Sequence, residues 1–315
     1  MTNPIEAEDL TRVFGDLTAV NSINLSVNEG EVFGFLGPNG AGKSTAVRML
    51  TTLLKPSDGS AKVSGYDVAT EANMVRKNIG VALQDAAIDP LMTGNELLKL
   101  QAVLHGIPRQ EGRARCAELL ERVGLTAAGD KRVGTYSGGM RRRLDLALSL
   151  VHRPKVLFLD EPTTGLDPTS RVALWEEVRT LNKEIGTTVF LTTQYLEEAD
   201  QLAQRIAIID NGRIVREGSP ATLKAGVGAP TLRVDVTDAD FVAAKEIMNK
   251  LGEERPARKG RIAIGLDGGT RAITAVLKSL EDQDIEVQHV ELDEPSLDDV
   301  FADATGRRLE GGENT

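Results

Sequence analysis

A chain of 315 residues is long enough for two domains, and 41% hydrophobic with 27% charged residues is the composition of an ordinary soluble globular protein. The net charge of −10 leaves no basic footprint for nonspecific nucleic-acid binding, and no apolar run approaches the ~18 residues of a membrane helix, so any membrane task needs another chain. A single cysteine, Cys116, excludes an internal disulfide and suits a reducing compartment, and Met1 to Glu6 lacks a basic-then-apolar leader, so no secretory signal is expected.

Residues 5–27 predict two strands around a turn at Gly15-Asp16, with Ile23, Leu25 and Val27 alternating with polar neighbours. Glu31 to Leu36 reads as a buried strand. It runs into Gly37-Pro38-Asn39-Gly40-Ala41-Gly42-Lys43-Ser44-Thr45, and the stretch from Thr45 to Leu50 can be helical. The nine residues fit G-x-x-x-x-G-K-[ST] between a strand and a helix, which is the context of a phosphate cradle. Glycines tolerate positive φ and let backbone N–H groups converge on phosphate oxygens, and the helix turns its positive dipole end inward. Lys43 is expected to reach the β- and γ-phosphates, and the Ser44 hydroxyl to ligate Mg²⁺.

Pro56 to Gly59 is a turn, a short strand begins at Ala61, a helix ends near Asn78, and Ile79 to Leu83 is a buried strand stopping at Gln84. From Asp85 to about Arg153 the pattern is helical. Thr93 and Glu96 have capping-box spacing, and Cys116, Leu119, Leu120 and Val123 make one apolar helix face, so Cys116 is a core residue. Tyr136-Ser137-Gly138-Gly139-Met140 opens the helix carrying Leu144, Ala147, Leu148 and Val151, and a Ser-Gly-Gly turn on a helix N-terminus is a second anion site. One nucleoside triphosphate has little use for two such sites in one subunit. A dimer in which each subunit's second site closes on the other's ATP accounts for both.

Val156 to Leu159 and Thr188 to Leu191 are continuous apolar runs suited to parallel strands buried on two faces, with a helix from Ser170 to Ile185 between them. Asp160-Glu161 stands at the carboxyl end of the first run, where parallel sheets bind ligands. Asp160 is expected to hold Mg²⁺ and Glu161 to polarise the water that attacks the γ-phosphate. Ile206 to Val215 reads as a hairpin around Asn211-Gly212. Ser219 to Pro230 reads as a Gly/Ala/Pro-rich connector. Beyond it come strands at 232–236, 261–266 and 287–292 with helices at 241–251 and 271–280, a small α+β domain. The charge divides unevenly, −3 over residues 1–222 and −7 over 223–315, which agrees with two units.

Together, Gly37 to Thr45, Gln84, Tyr136 to Met140, Val156 to Pro162 and Gly165-Leu166-Asp167 resemble, in order and spacing, the nucleotide-binding subunit of ATP-binding cassette (ABC) transporters. The resemblance implies an α/β fold: a mixed, mostly parallel sheet with an antiparallel N-terminal β-subdomain and a helical insertion, followed by the α+β domain. The boundaries it suggests are 1–222 for the ATP-binding domain, with a helical subdomain at about 85–153, then a connector at 223–230, the accessory domain at 231–306 and a tail at 307–315. It also implies that Phe14 stacks on adenine, that Gln84 senses Mg²⁺ and the membrane partner, that Ser137 to Gly139 form the signature, and that Asp167 lies in the loop joining two active sites. A core aromatic is the alternative reading of Phe14.

The family pattern has a histidine where this chain has Gln194, and the signature ends in Met140 where glutamine is usual. A carboxamide can donate to the γ-phosphate and accept from the attacking water, but it cannot titrate. Gln194 followed by Leu196 to Asp200, together with Glu294 to Phe301 and a C-terminal extension of this length, resembles the daunorubicin-resistance type of exporter ATPase. The implied role is ATP hydrolysis with Mg²⁺, in a peripheral subunit on the cytoplasmic face of the membrane. It would power efflux of a drug-like or lipid-like molecule through a separate permease. A soluble ABC-type ATPase and a nucleotide-gated module with weak hydrolysis are the alternatives. Arg141-Arg142-Arg143 reads as a solvated helix face in preference to a phosphate or partner contact. Ile88, Leu91 and Met92 are either a docking patch or core. His105, His152 and His289 have no metal-ligand spacing.

Overall fold

The computed structural model describes residues 3–83, 88–237, 239–257 and 260–307. The chain divides into two compact units, one ending at Pro220 and the next opening at Ala221.

The first unit begins with an antiparallel hairpin, β1 (Ile5–Phe14) and β2 (Leu17–Val27), turned at Gly15 with φ of +55°. Strand β3 (Val32–Leu36) leads through the glycine loop into α1 (Lys43–Leu50). Strands β4 (Asp58–Val63) and β5 (Tyr66–Asp67) join the hairpin in an antiparallel sheet of order β2-β1-β4-β5. Helix α2 (Ala72–Asn78) and strand β6 (Ile79–Ala82) follow, then the helical segment: α3 (Gly94–Leu104), α4 (Arg109–Arg122) and α5 (Gly138–Ser149). Thr93 caps α3 through the capping box its spacing predicts, its hydroxyl accepting from Glu96 N while Glu96 accepts from Thr93 N at 2.8 Å.

The chain returns through β7 (Val156–Asp160), α6 (Pro168–Ile185), β8 (Thr188–Thr193), α7 (Leu196–Leu202), β9 (Arg205–Asp210) and β10 (Arg213–Gly218). The main sheet has order β10-β9-β3-β8-β7-β6, parallel except for β10. Three central strands, β3, β7 and β8, are buried at every position because alternate side chains serve two cores. Val156, Phe158 and Phe190 face the hairpin and α1, whereas Leu157, Leu159, Val189 and Leu191 face the helical segment. On the hairpin side, the rings of Phe33, Phe35 and Phe158 pack against Phe190 with centroids 5.5–5.6 Å apart.

The connector expected at 219–230 contains a short helix, α8 (Pro220–Ala225), which starts on the proline that suits a first helical position and buries Leu223. The second unit comprises β11 (Thr231–Val236), α9 (Phe241–Leu251), β12 (Glu253–Glu254), β13 (Arg261–Gly265), α10 (Gly269–Glu281), β14 (Val287–Asp293) and α11 (Leu297–Thr305). Its sheet, of order β12-β13-β11-β14, is antiparallel. Leu232, Val234, Ile262 and Ile264 pack on Ala244, Met248, Val276 and Leu280 from α9 and α10. Elsewhere in this sheet, ion pairs join Arg261 to Asp235 and Glu291, and Arg233 to Asp293.

Candidate functional site

The loop from Gly37 to Gly42 is closed at its two end glycines by backbone contacts that exclude a Cβ. A Cβ on Gly37 would lie 2.3 Å from Ile209 O, and one on Gly42, at φ of +108°, 2.4 Å from Ala19 O. Gly37 N donates to Thr193 O at 3.2 Å and Gly212 N to Ala41 O at 3.0 Å, so β8 and the β9–β10 turn hold the loop from both sides. Pro38 is half-buried, Asn39 and Gly40 are exposed, and Ala41 is buried.

Lys43 opens α1 with 4% of its surface exposed. Its ammonium donates to Gly37 O at 2.9 Å and Pro38 O at 3.0 Å and meets Glu161 Oε1 at 3.1 Å. One residue on, Ser44 Oγ donates to Asp160 Oδ1 at 3.2 Å, and Thr45 is half-buried behind it. Asp160 also accepts from Thr192 Oγ1 at 2.5 Å, which holds its carboxylate in one orientation. Glu161 adopts a left-handed φ of +48°, unusual for a residue with a Cβ, and its N–H is taken by Thr192 O and Thr192 Oγ1, both at 3.1 Å. That turn directs its carboxylate to Lys43, with Thr164 Oγ1 donating to the other oxygen at 3.3 Å. Thr192, to which the sequence pattern assigns no role, is thus shared by both carboxylate residues.

The donor set suits Mg²⁺. A hydroxyl and a carboxylate are hard oxygen ligands, and no cluster of three His, Cys, Asp or Glu occurs among the described residues. Mg²⁺ is commonly held by one or two protein oxygens, completed by phosphates and water.

Gln194 follows β8 directly and is half-buried, one residue from the Thr193 carbonyl bonded to the loop. Gln84 lies outside the described residues. Phe14 is 44% exposed at the hairpin tip with the Arg12 guanidinium 4.5 Å over its ring, so it is not a core aromatic. It pairs with Leu17, two residues before the Ala19 carbonyl that abuts Gly42.

Ser137 and Gly138 are exposed, and among the described residues neither joins the hydrogen bonds around Lys43 and Glu161. Ser137 caps α5 by accepting from Met140 N at 3.2 Å. Gly139 is buried and has no room for a Cβ, which would lie 2.7 Å from Ser170 Oγ. Ser170 in turn donates to Asp167 from both N and Oγ, at 3.0 and 2.6 Å. The Ser170 hydroxyl, more than any other partner, holds the Asp167 carboxyl below its ordinary range. Ser137 and Lys43 therefore belong to separate sets of hydrogen bonds within one chain.

Three residues differ from expectation or were missed. Arg141 is exposed, but Arg142 and Arg143 turn inward, the latter donating to Val123 O at 2.8 Å, so the arginine run is not a solvated face. Glu198 is fully buried on α7 and accepts from Trp175 Nε1 at 3.1 Å, with burial pushing its carboxyl up. Of the three apolar residues past Gln84, Leu91 is 72% exposed, whereas Ile88 and Met92 pack against the core.

Comparison with known proteins agrees with this geometry. The family described as ABC transporter matches residues 20–164, and the family described as ATP-binding protein DrrA1-3-like, C-terminal domain, matches residues 218–305. Daunorubicin resistance ATP-binding protein DrrA2 of Streptomyces coeruleorubidus is 45% identical over 313 residues, covering 98% of this chain and 97% of that protein. Linearmycin resistance ATP-binding protein LnrL of Bacillus subtilis (strain 168) is 35% identical, covering 97% of this chain and 99% of that one. Among solved structures, cbiO1 of Clostridium perfringens, part of the ABC transporter complex cbiONQ, superposes with a TM-score of 0.66 at 29% identity, over 71% of this chain and 92% of that one. The dimeric post-hydrolysis state of the ATP-binding cassette MJ0796, bound to ADP and Pi, gives 0.63 at 26% identity, over 68% and 98%.

Proposed function

The chain belongs to the ABC transporter family of ATP-binding proteins, and from that premise we propose that two copies close around Mg·ATP and hydrolyse it to drive efflux through a separate membrane subunit. The observation that carries this reading is the meeting of Lys43 with Glu161 at 3.1 Å and of Ser44 with Asp160 at 3.2 Å, at the mouth of the glycine loop.

Lys43 and the loop N–H groups bind the β- and γ-phosphates, with Phe14 stacking on the base. Ser44 and Asp160 would hold Mg²⁺, with Gln84 as the remaining candidate ligand, and the ion when bound would supply positive charge at the phosphates. Glu161 takes the proton of the attacking water, and Gln194 orients that water and donates to the γ-phosphate. Ser137, Gly138 and Gly139 supply the second half-site from the opposite copy, and Asp167 sits in the loop between the two sites. The exposure of Ser137 and Gly138 at the tip of α5 supports that arrangement.

Leu91 is exposed, and so is the apolar stripe of Leu100, Val103 and Leu104 on α3. An apolar surface of this kind supports docking of the membrane subunit there. The expected location, by membership of this family, is the cytoplasmic face of the cell membrane; no described helix is long and apolar enough to cross a membrane. The names of the relatives favour a drug-like or lipid-like cargo, and the charge of −10 speaks against a nucleic-acid partner.

The test is phosphate release by the full chain in membranes containing its partner. Glu161→Gln is expected to lower the rate by at least ~100-fold while retaining ATP in a closed dimer. Normal turnover in that variant removes Glu161 from its role. Absence of phosphate release in the unmutated chain would favour a nucleotide-gated module, and failure to co-purify with a membrane protein would favour a soluble ATPase.

A further inference from the structure

Arg142 lies one turn into α5, the helix whose tip carries Ser137. Its guanidinium has five N–H donors, and the structure supplies an acceptor for each. Nε donates to Pro162 O at 2.7 Å. Nη1 donates to Leu83 O at 2.6 Å and to Asp145 Oδ2 at 3.4 Å. Nη2 donates to Asp160 O at 2.9 Å and Glu161 O at 3.1 Å. Three of those acceptors are consecutive carbonyls of the segment that bears both proposed active-site carboxylates. The middle one belongs to Glu161, whose left-handed φ of +48° needs support from its surroundings.

A packing role alone does not explain this side chain. Burial disfavours its charge, and the nearest carboxylate, Asp145, is at the long end of an ion pair. An apolar side chain would fill the same space without that desolvation. The guanidinium instead uses its rigid fork to hold the end of β7 and the end of the Leu83 stretch against one helix, a task that a single-point ammonium cannot perform.

We propose that Arg142 is a positioning residue for hydrolysis: it fixes the turn at residues 160–162 so that the Glu161 carboxylate is aimed into the site, and ties that turn to the helix that presents Ser137. The inference rests on the reading of Glu161 as the base. Since Arg142 touches backbone and not the phosphates, its loss should slow turnover and spare ATP binding.

The experiment measures kcat and KM for Mg·ATP, and equilibrium binding of a fluorescent ATP analogue, on the full chain in membranes with its partner. Arg142→Lys keeps the charge and loses the fork, whereas Arg142→Gln loses the charge. Both are expected to lower kcat at least ~tenfold with the analogue's Kd within ~threefold of the unmutated chain, and adding either to Glu161→Gln should slow turnover no further. A kcat within ~twofold of normal for Arg142→Lys, binding lost in step with kcat, an additive loss in the double variant, or failure of both single variants to fold would each overturn the proposal. A Glu161→Gln variant with normal turnover would remove this inference together with the reading beneath it. A slow Glu161→Gln beside a fast Arg142→Lys would remove this inference alone.

Discussion

In the first unit Lys43 and Glu161 meet at 3.1 Å with 4% and 6% of their surfaces exposed; in the second, Arg261 reaches Asp235 at 2.8 Å with both side chains 28% exposed. Burying a pair costs desolvation that its attraction must offset, whereas a wetter pair costs and contributes little. The first unit gathers further uncomfortable groups around the same strands. Burial pushes the Asp145 carboxyl up to about 6 against the pull of Arg142, and burial with the stacked His105 ring pushes His152 down to about 4. In the second unit the resolved shifts run the other way: a hydrogen bond from Arg261 lowers Asp235, and one from Lys245 lowers Glu254. In the first unit these groups are held against the cost of burial, whereas in the second the charges sit where their partners and water stabilise them.

The comparison predicts a stability in the first unit that changes with pH between about 4 and 7. The folded chain holds the Asp145 proton more tightly than the unfolded chain, so that contribution is present below pH about 4 and is lost as pH rises through about 6. For His152 the folded ring resists its proton, so its contribution is present above the unfolded value of 6.5 and is lost as pH falls towards 4. Relative to the unmutated chain, Asp145→Asn should gain on the order of 2–3 kcal/mol between pH 4 and 7, and His152→Gln should move in the opposite direction over the same range. Urea unfolding at several pH values reads both, and flat difference curves would erase the contrast between the units.

A smaller effect is expected at Gln194. Turnover should change little between pH 6 and 8 on account of this residue, and Gln194→His should introduce a fall of about fourfold from pH 8 to 6, following an imidazole near 6.5. A steep profile in the unmutated chain would mean that another group controls the rate. The smallest effect belongs to Arg261→Ala, which should leave both the unfolding midpoint and phosphate release unchanged within measurement. A clear loss there would show that the second sheet depends on its ion pairs.

Much of the architecture was legible because its signals are local. Phe158 and Leu159 read as a strand buried on two faces from their run alone, and the glycine spacing from Gly37 to Gly42 predicts a loop whose backbone N–H groups can converge on phosphate. The helix α11 was equally legible, since Ser296 and Asp299 form a capping box, yet sequence reading passed over it. Arg141, Arg142 and Arg143 are identical letters in sequence. Successive residues turn about 100° around a helix, and only what lies behind α5 decides which of them is buried. Glu197 and Glu198 pose the same problem: one is exposed, and the other is bonded to Trp175, 23 residues away.

By itself, then, the sequence determined the glycine loop, the strand-end carboxylates, the serine-glycine tip and most of the strands and helices, because each depends on backbone geometry and periodicity within a few residues. Tertiary structure alone decided that Thr192 orients Asp160, that Arg142 grips the turn at Glu161, and which apolar residues of α3 stay exposed. Those outcomes depend on side chains brought together across tens of residues, where packing and the cost of burying charge select one arrangement from many that the same local pattern permits.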